Sequence, residues 1–345
     1  MLAELTDRQK FILTLVIHEY IKGAQPVGSA HLVKNYSLKM SSATVRNELA
    51  ALTDAGYLRQ PHTSAGREPT EEGYRYFVGR LVQQTELPAT TRRTISHQFY
   101  QTRADVEQWM RLAASVLANQ SRGASLVTAP HPEMARFKHL ELISTRGRQV
   151  LMVLVLVGGE LTQQMLALAE PVTQDQLSVA ANRLTAICQG LDTEGIRALQ
   201  IQFSSLEVDV LEMVIQNMAQ ADRLVAGEVY LDGLSNVLAE PEFAGTEDAR
   251  RALRLLEERS MLNDLLSRTV LTSSVGGVQV LIGGEGTWED LRQCSVVLAR
   301  YGAPGQATGT LGILGPMRMP YGRAISTVRF MGGLLSDLVN DTLVD

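Results

Sequence analysis

Apolar residues recur at helical spacing from the start of the chain. Ile12, Leu15, Val16 and Tyr20 share one face, the signature of an amphipathic helix. Thr6-Asp7-Arg8-Gln9 ahead of them has the form of a capping box, and Gly23 and Pro26 end the segment. A short second helix follows Ser29, with Leu32 and Val33 inward. Ser41 and Ser42 open a third, which stops at Gly56. On it Val45, Leu49 and Leu52 form the buried stripe. Ala43, Asn47, Ala50 and Asp54 lie opposite, flanked by Thr44 and Arg46. Tyr57 to Gln60 is predicted as a strand, His62 to Arg67 as a polar hairpin tip, and Thr70 as the cap of a fourth helix with Glu71 and Glu72 at its positive end. Three helices followed by a strand-loop hairpin predict a winged helix-turn-helix over residues 2–81.

Past a linker at 85–91, a helix over 104–120 buries Trp109, Met110, Ala113 and Leu117. Strands are expected at 139–144 and 150–157, the second apolar on both faces and hence central in a sheet. From Glu160 to Leu271 the pattern turns mainly helical: 174–191 behind the capping box Thr173-Gln174-Asp175-Gln176, then 206–221 and 247–266. Strands return at 278–282, 294–299 and 310–314, before a last helix carrying Ile325, Val328, Met331, Leu335 and Leu338. Strands, then helices, then strands predict an α+β domain interrupted by an inserted one.

The 345 residues suit two or three domains. The net charge of -5 excludes a generally basic coat for nucleic acid. Charge is uneven, however: residues 1–82 carry ten Lys/Arg against eight Asp/Glu, and the remainder 22 against 29. That places a slightly basic module on an acidic body. Two distant cysteines, Cys188 and Cys294, make neither a disulfide framework nor a zinc pair, and a reducing cytoplasm is the expected location. The longest strongly apolar run, 150–157, is too short to span a bilayer as a helix.

The chemistry concentrates on the third helix and the hairpin. A major groove admits one helix, whose exposed side chains reach base edges. Ser41, Ser42 and Thr44 are small residues at its start, where free N–H groups bind phosphates. Arg46 suits guanine or phosphate, and Asn47 adenine or phosphate. In the hairpin His62, Thr63, Ser64 and Arg67 offer donors to the DNA backbone, while Gly66 permits close approach. The six histidines show no metal-ligand spacing. Gly283-Gly284-Glu285-Gly286 lacks nucleotide-loop spacing, Glu257-Glu258 do not face each other, and Ser273-Ser274 lacks a nucleophile context. No catalytic residue and no cofactor is expected.

Several motifs carry a resemblance. Pro26-Val27-Gly28-Ser29, Ser41-Ser42-Ala43-Thr44-Val45-Arg46-Asn47-Glu48-Leu49, His62-Thr63-Ser64-Ala65-Gly66-Arg67 and Gly73-Tyr74-Arg75-Tyr76 closely resemble the HrcA heat-inducible transcription repressors of bacteria. Arg136-Phe137-Lys138, Ile282-Gly283-Gly284-Glu285, Cys294-Ser295 and the stretch from Gly312 to Tyr321 extend the likeness over nearly the whole chain. Glu68 departs from it, where an apolar residue is expected before Pro69. The resemblance implies a winged helix-turn-helix at 1–84, a GAF-like domain at 88–159 and 272–345, and an inserted dimerisation domain at 160–271. It implies a homodimer on double-stranded DNA at the CIRCE inverted repeat, repressing chaperone operons, with activity favoured by the chaperonin GroEL. The alternative from another class is a ligand-sensing regulator holding a small molecule in the GAF-like domain. An enzyme is the least supported class.

Overall fold

The computed structural model describes residues 4–343, leaving out 64, 83–85, 103–104, 133, 159, 200–202, 224–227, 244–246, 270–273 and 284–287. The chain is an α+β protein built from helices and antiparallel sheets, and it divides into two compact units. The first comprises 1–129, 228–301 and 309–338; the second comprises 130–227, 302–308 and 339–345.

The first unit opens with α1 (Asp7–Gly23), α2 (Ser29–Asn35) and α3 (Ser42–Asp54). The Thr6–Gln9 capping box forms in full: each residue's side chain bonds the other's backbone N–H. Two-residue strands β1 (Leu58–Arg59) and β2 (Glu68–Pro69) pair antiparallel, and α4 (Glu71–Tyr76) leads into a π-helical turn over Phe77–Leu81. Ile12, Val16, Leu32, Val45 and Leu52 are fully buried and form the common core of the three helices.

Next come α5 (Ala89–Gln101) and α6 (Val106–Ser121). The sequence pattern placed only a linker and helix boundary near the start of α5. Ile95 and Phe99 are its sole buried residues, too few to mark a periodic stripe. β3 (Ala124–Thr128), also unpredicted, is buried at all five positions. With β4 (His131–Pro132) the chain enters the second unit.

There β5 (Phe137–Arg146), β6 (Gln149–Leu156) and β7 (Leu161–Ala167) form an antiparallel meander with β6 central, as its two apolar faces predict. α7 (Gln174–Cys188), α8 (Thr193–Leu199) and α9 (Ser205–Arg223) follow. Leu140, Met152 and Leu154 of the sheet share one core with Leu177 and Leu184 of α7 and Leu211 and Val214 of α9.

The chain then rejoins the first unit. β8 (Val229–Asp232) pairs antiparallel with β3, and α10 (Leu234–Leu238), α11 (Glu247–Glu257) and α12 (Arg259–Thr269) come after it. β9 (Val278–Ile282), β10 (Cys294–Ala303) and β11 (Ala307–Pro316) complete a sheet ordered β8-β3-β11-β10-β9, with β4 beside β11. α13 (Tyr321–Leu343) closes the chain.

The unit boundaries differ from the 160–271 insertion expected from sequence. The pattern changes from strand to helix near Glu160, but the β6–β7 hairpin spans that point and ties 137–156 to β7 and to the helices α7 and α9. At the far end β8 pairs with β3, which draws 229–232 into the first unit. Contacts, rather than a change of periodicity, mark a compact unit.

Candidate nucleic-acid interface

The third helix is set by its cap and its stripe. Ser41 is the N-cap; its hydroxyl oxygen accepts the Thr44 N–H at 3.0 Å and lies 2.9 Å from Thr44 Oγ1. Ser42 is drawn the other way, its hydroxyl 3.0 Å from that of Ser29 at the start of α2. The two hydroxyls tie α2 to the first turn of α3. Val45, Leu49 and Leu52 face inward, whereas Ala43, Arg46, Asn47 and Asp54 are exposed. Among the described residues the side chains of Arg46 and Asn47 form no hydrogen bond or ion pair, and neither do those of the exposed Lys34 in α2 and Lys39 in the connection to α3. Their donors therefore cost no internal bond to redirect toward another molecule.

α2 is held by a carboxylate that periodicity does not reveal. Glu19 of α1 sits 2.7 Å from His31 Nε2, accepts the Tyr36 hydroxyl at 2.8 Å and the Asn35 amide at 3.3 Å, and pairs with Lys22 at 3.2 Å. The His31 and Tyr36 hydrogen bonds are the largest influences holding its carboxyl down to about 2. Three of these partners, His31, Asn35 and Tyr36, come from α2 and its C-terminal cap and tie it to α1, and with it the seat of α3.

The hairpin tip is shaped from within. Gln60 Nε2 donates to the carbonyls of Thr63 (2.9 Å) and Ala65 (3.0 Å), and the Ala65 N–H donates to His62 O at 2.8 Å. His62 and Thr63 stand exposed at the tip; Ser64 lies outside the described residues. Arg67 exchanges two backbone hydrogen bonds with Val27, at 2.8 and 2.9 Å, and its Nε donates to Thr53 Oγ1 near the end of α3 at 2.9 Å. The motifs at 26–29 and 62–67, far apart in sequence, thus lie side by side.

Gly66 has a more local reason than DNA approach. A Cβ there would sit 2.4 Å from the Val27 carbonyl carbon, so only glycine lets the hairpin close on that backbone. Gly73 plays the same part under α4, where a Cβ would meet Tyr57 O at 2.2 Å. Glu68, the departure from the expected apolar residue, is buried in β2. It accepts from Arg59 and from the Tyr20 hydroxyl, so the covered charge has partners.

The remaining chemistry-bearing residues are structural. Cys188 and Cys294 are buried, and burial pushes the Cys188 thiol up to about 11, far from a reactive thiolate. Among the described residues no group of three or more His, Cys, Asp or Glu is placed to hold a metal, and no helix is long and apolar enough to cross a membrane.

Residues 107–325 match the family model described as the HrcA protein C-terminal domain. The chain is 45% identical over 347 residues to a heat-inducible transcription repressor HrcA of Roseiflexus castenholzii, covering 98% of this chain and 96% of that one. It is 44% identical to the repressor of the same name from Herpetosiphon aurantiacus, at 98% and 96% coverage. Among solved structures, a hypothetical protein determined at 2.2 Å shares the fold with a TM-score of 0.63 and 23% identity, over 98% of this chain and 100% of that one.

Proposed function

The chain belongs to the HrcA family of heat-inducible transcription repressors, and on that premise we propose how its architecture performs repression. It is a negative regulator of heat-shock transcription and not an enzyme. Residues 1–84 act as a winged helix-turn-helix that places α3 in the major groove of double-stranded DNA, with the 60–67 hairpin as the wing on the phosphate backbone. The observation that carries this is α3 itself. One face is fully packed, while the exposed side presents Asn47 and, on its flank, Arg46, whose side chains have no internal partner among the described residues.

In this reading Arg46 and Asn47 contact base edges. Ser41, Ser42 and Thr44 shape the helix start, whose N–H groups meet a phosphate. His62, Thr63, Ser64, Gly66 and Arg67 belong to the wing. The β8-β3-β11-β10-β9 sheet with its helices is the GAF-like body, and the β5-β6-β7 unit is the dimerisation module. The operator is the CIRCE inverted repeat, whose symmetry mirrors a two-fold dimer.

Support for the dimer comes from the sheet rather than from the helices expected to supply it. The apolar sides of α7 and α9 are consumed inside their own unit, against the sheet. The outer sheet face instead carries Ile143, Leu151 and Met165 in one cross-strand row, with Val153 and then Val155–Leu161 in the next two. Ile143, Leu161 and Met165 are each more than 40% exposed. An exposed apolar stripe of this kind, here flanked by Glu141, Gln163 and His139, suits an interaction surface.

GroEL raises the DNA-competent fraction of the repressor, and unfolded clients withdraw it during heat shock. The test is a gel shift on duplex DNA carrying the inverted repeat, with and without GroEL and nucleotide. Binding that rises with chaperonin, and falls when an unfolded client is added, supports the scheme. Full binding that is indifferent to chaperonin leaves the DNA-reading half standing and overturns the regulatory half.

A further inference from the structure

Helix α1 ends without the partners it needs from its own turn, because the last carbonyls of any helix have no intrahelical donor. One of them, Ile21 O, receives Arg318 Nη1 at 3.4 Å, from a residue nearly 300 positions later in the corner between β11 and α13. The same guanidinium is held on its other edges by Glu242, through Nε and Nη2, and by Glu240, through Nη2. Arg318 is only 13% exposed. A planar fork with fixed donors is suited to joining three groups at once, which a lysine is not.

The contact is a polar bridge rather than a packed seam. A cavity of about 510 Å³ opens beside it, lined by Gly23, Ala24, Pro316 and Pro320 among others. A further attachment of the N-terminal segment to the sheet lies on α4. There Arg75 Nη2 donates to Ile282 O at 3.2 Å and the Tyr74 ring meets Tyr321 with centroids 5.9 Å apart. The Arg318 bridge sits at the end of α1, away from α4, and so restrains rotation about the α4 contact.

We propose that Arg318 is a positioning residue for operator binding: by capping α1 while Glu240 and Glu242 hold it, it fixes the direction in which α3 is presented and so sets the half-site spacing that the repressor accepts. This rests on the reading of the chain as a dimer on an inverted repeat. The experiment measures the affinity of the full-length protein for inverted repeats whose spacer is one or two base pairs longer or shorter, and for a duplex with a single half-site. The wild type should lose about tenfold at two base pairs from its optimum, since each base pair displaces and rotates one half-site relative to the other.

Arg318→Met should flatten that profile to within about threefold while leaving half-site affinity within about twofold, and Arg318→Lys should fall between. Glu242→Gln loosens the same bridge from its other end and should flatten the profile in the same direction if Arg318→Met proves poorly folded by thermal melting. A sharp, wild-type profile in these folded variants overturns the proposal. So does a loss of half-site binding equal to the loss on the full repeat, because Arg318 would then support the fold of the reader alone. A wild type that prefers no spacing contradicts the dimer reading itself, and leaves the bridge nothing to set.

Discussion

Arg46 and Asn47 are adjacent, so about 100° of helix rotation separates them: Asn47 lies near the centre of the exposed side of α3 and Arg46 on its flank. A side chain contacting a base discriminates among sequences, whereas one on a phosphate weakens all sequences alike. Arg46→Ala and Asn47→Ala should each cost about 1–3 kcal/mol of specific binding, read as gel shifts on the operator against unrelated DNA. Wild-type affinity in both would remove α3 as the reading element. Gly73 makes a different kind of prediction. With Tyr57 O 2.2 Å from its absent Cβ, Gly73→Ala must push α4 off β1, at about 1–3 kcal/mol of stability by denaturant unfolding. An unchanged midpoint would mean that the α4 backbone yields freely. The motifs containing both glycines were legible in the sequence. Their reasons were not, because a close approach of backbones far apart in the chain leaves no periodic trace.

Among the elements, α2 and the hairpin depend on polar clamps. Glu19 is held to about 2 by its hydrogen bonds, below the ordinary carboxylate value of 4.5. Its contribution to stability is therefore fully present above about pH 4.5 and is lost as pH falls toward 2. Glu19→Gln should cost about 1–3 kcal/mol at neutral pH, and its unfolding midpoint should decline less than the wild type's between those limits. Parallel declines would place the acid sensitivity elsewhere. In the hairpin, Arg67 donates Nε to Thr53, and among the described residues its Nη groups have no hydrogen-bond partner. Arg67→Ala should reduce the slope of log affinity against log salt by about one. An unchanged slope would show that the wing does not meet phosphate through this side chain. The capping boxes at Thr6 and Thr173 and the strand at 278–282 formed where the pattern put them, since each has a local cause. α5 and β3 did not announce themselves. α5 buries only two residues, and β3, Ala124-Ser125-Leu126-Val127-Thr128, is covered on both faces despite its two hydroxyls.

For the whole molecule, the proposed function divides the labour between the two units: one would present α3, and the other would offer the outer face of β5-β6-β7 to a second copy. Val153 lies at the middle of that face, between Glu141 and Gln163. Val153→Lys should leave each chain folded and shift the protein from dimer to monomer by light scattering, with weakened binding to the full repeat. A dimer unaffected by the substitution would place the interface elsewhere. The boundaries of the two compact units were the least legible feature, because they depend on contacts between 137–156 and the helices beyond it rather than on a change in local pattern.

The most direct test of the account as a whole is a footprint of the purified protein on double-stranded DNA upstream of chaperone genes, comparing the wild type with the Arg46→Ala, Asn47→Ala double variant. The account predicts protection of both arms of an inverted repeat by the wild type and loss of that protection in the variant, with the variant's melting temperature unchanged. Protection that survives in the variant, or no protected repeat at all under conditions where the protein is folded and dimeric, would contradict it.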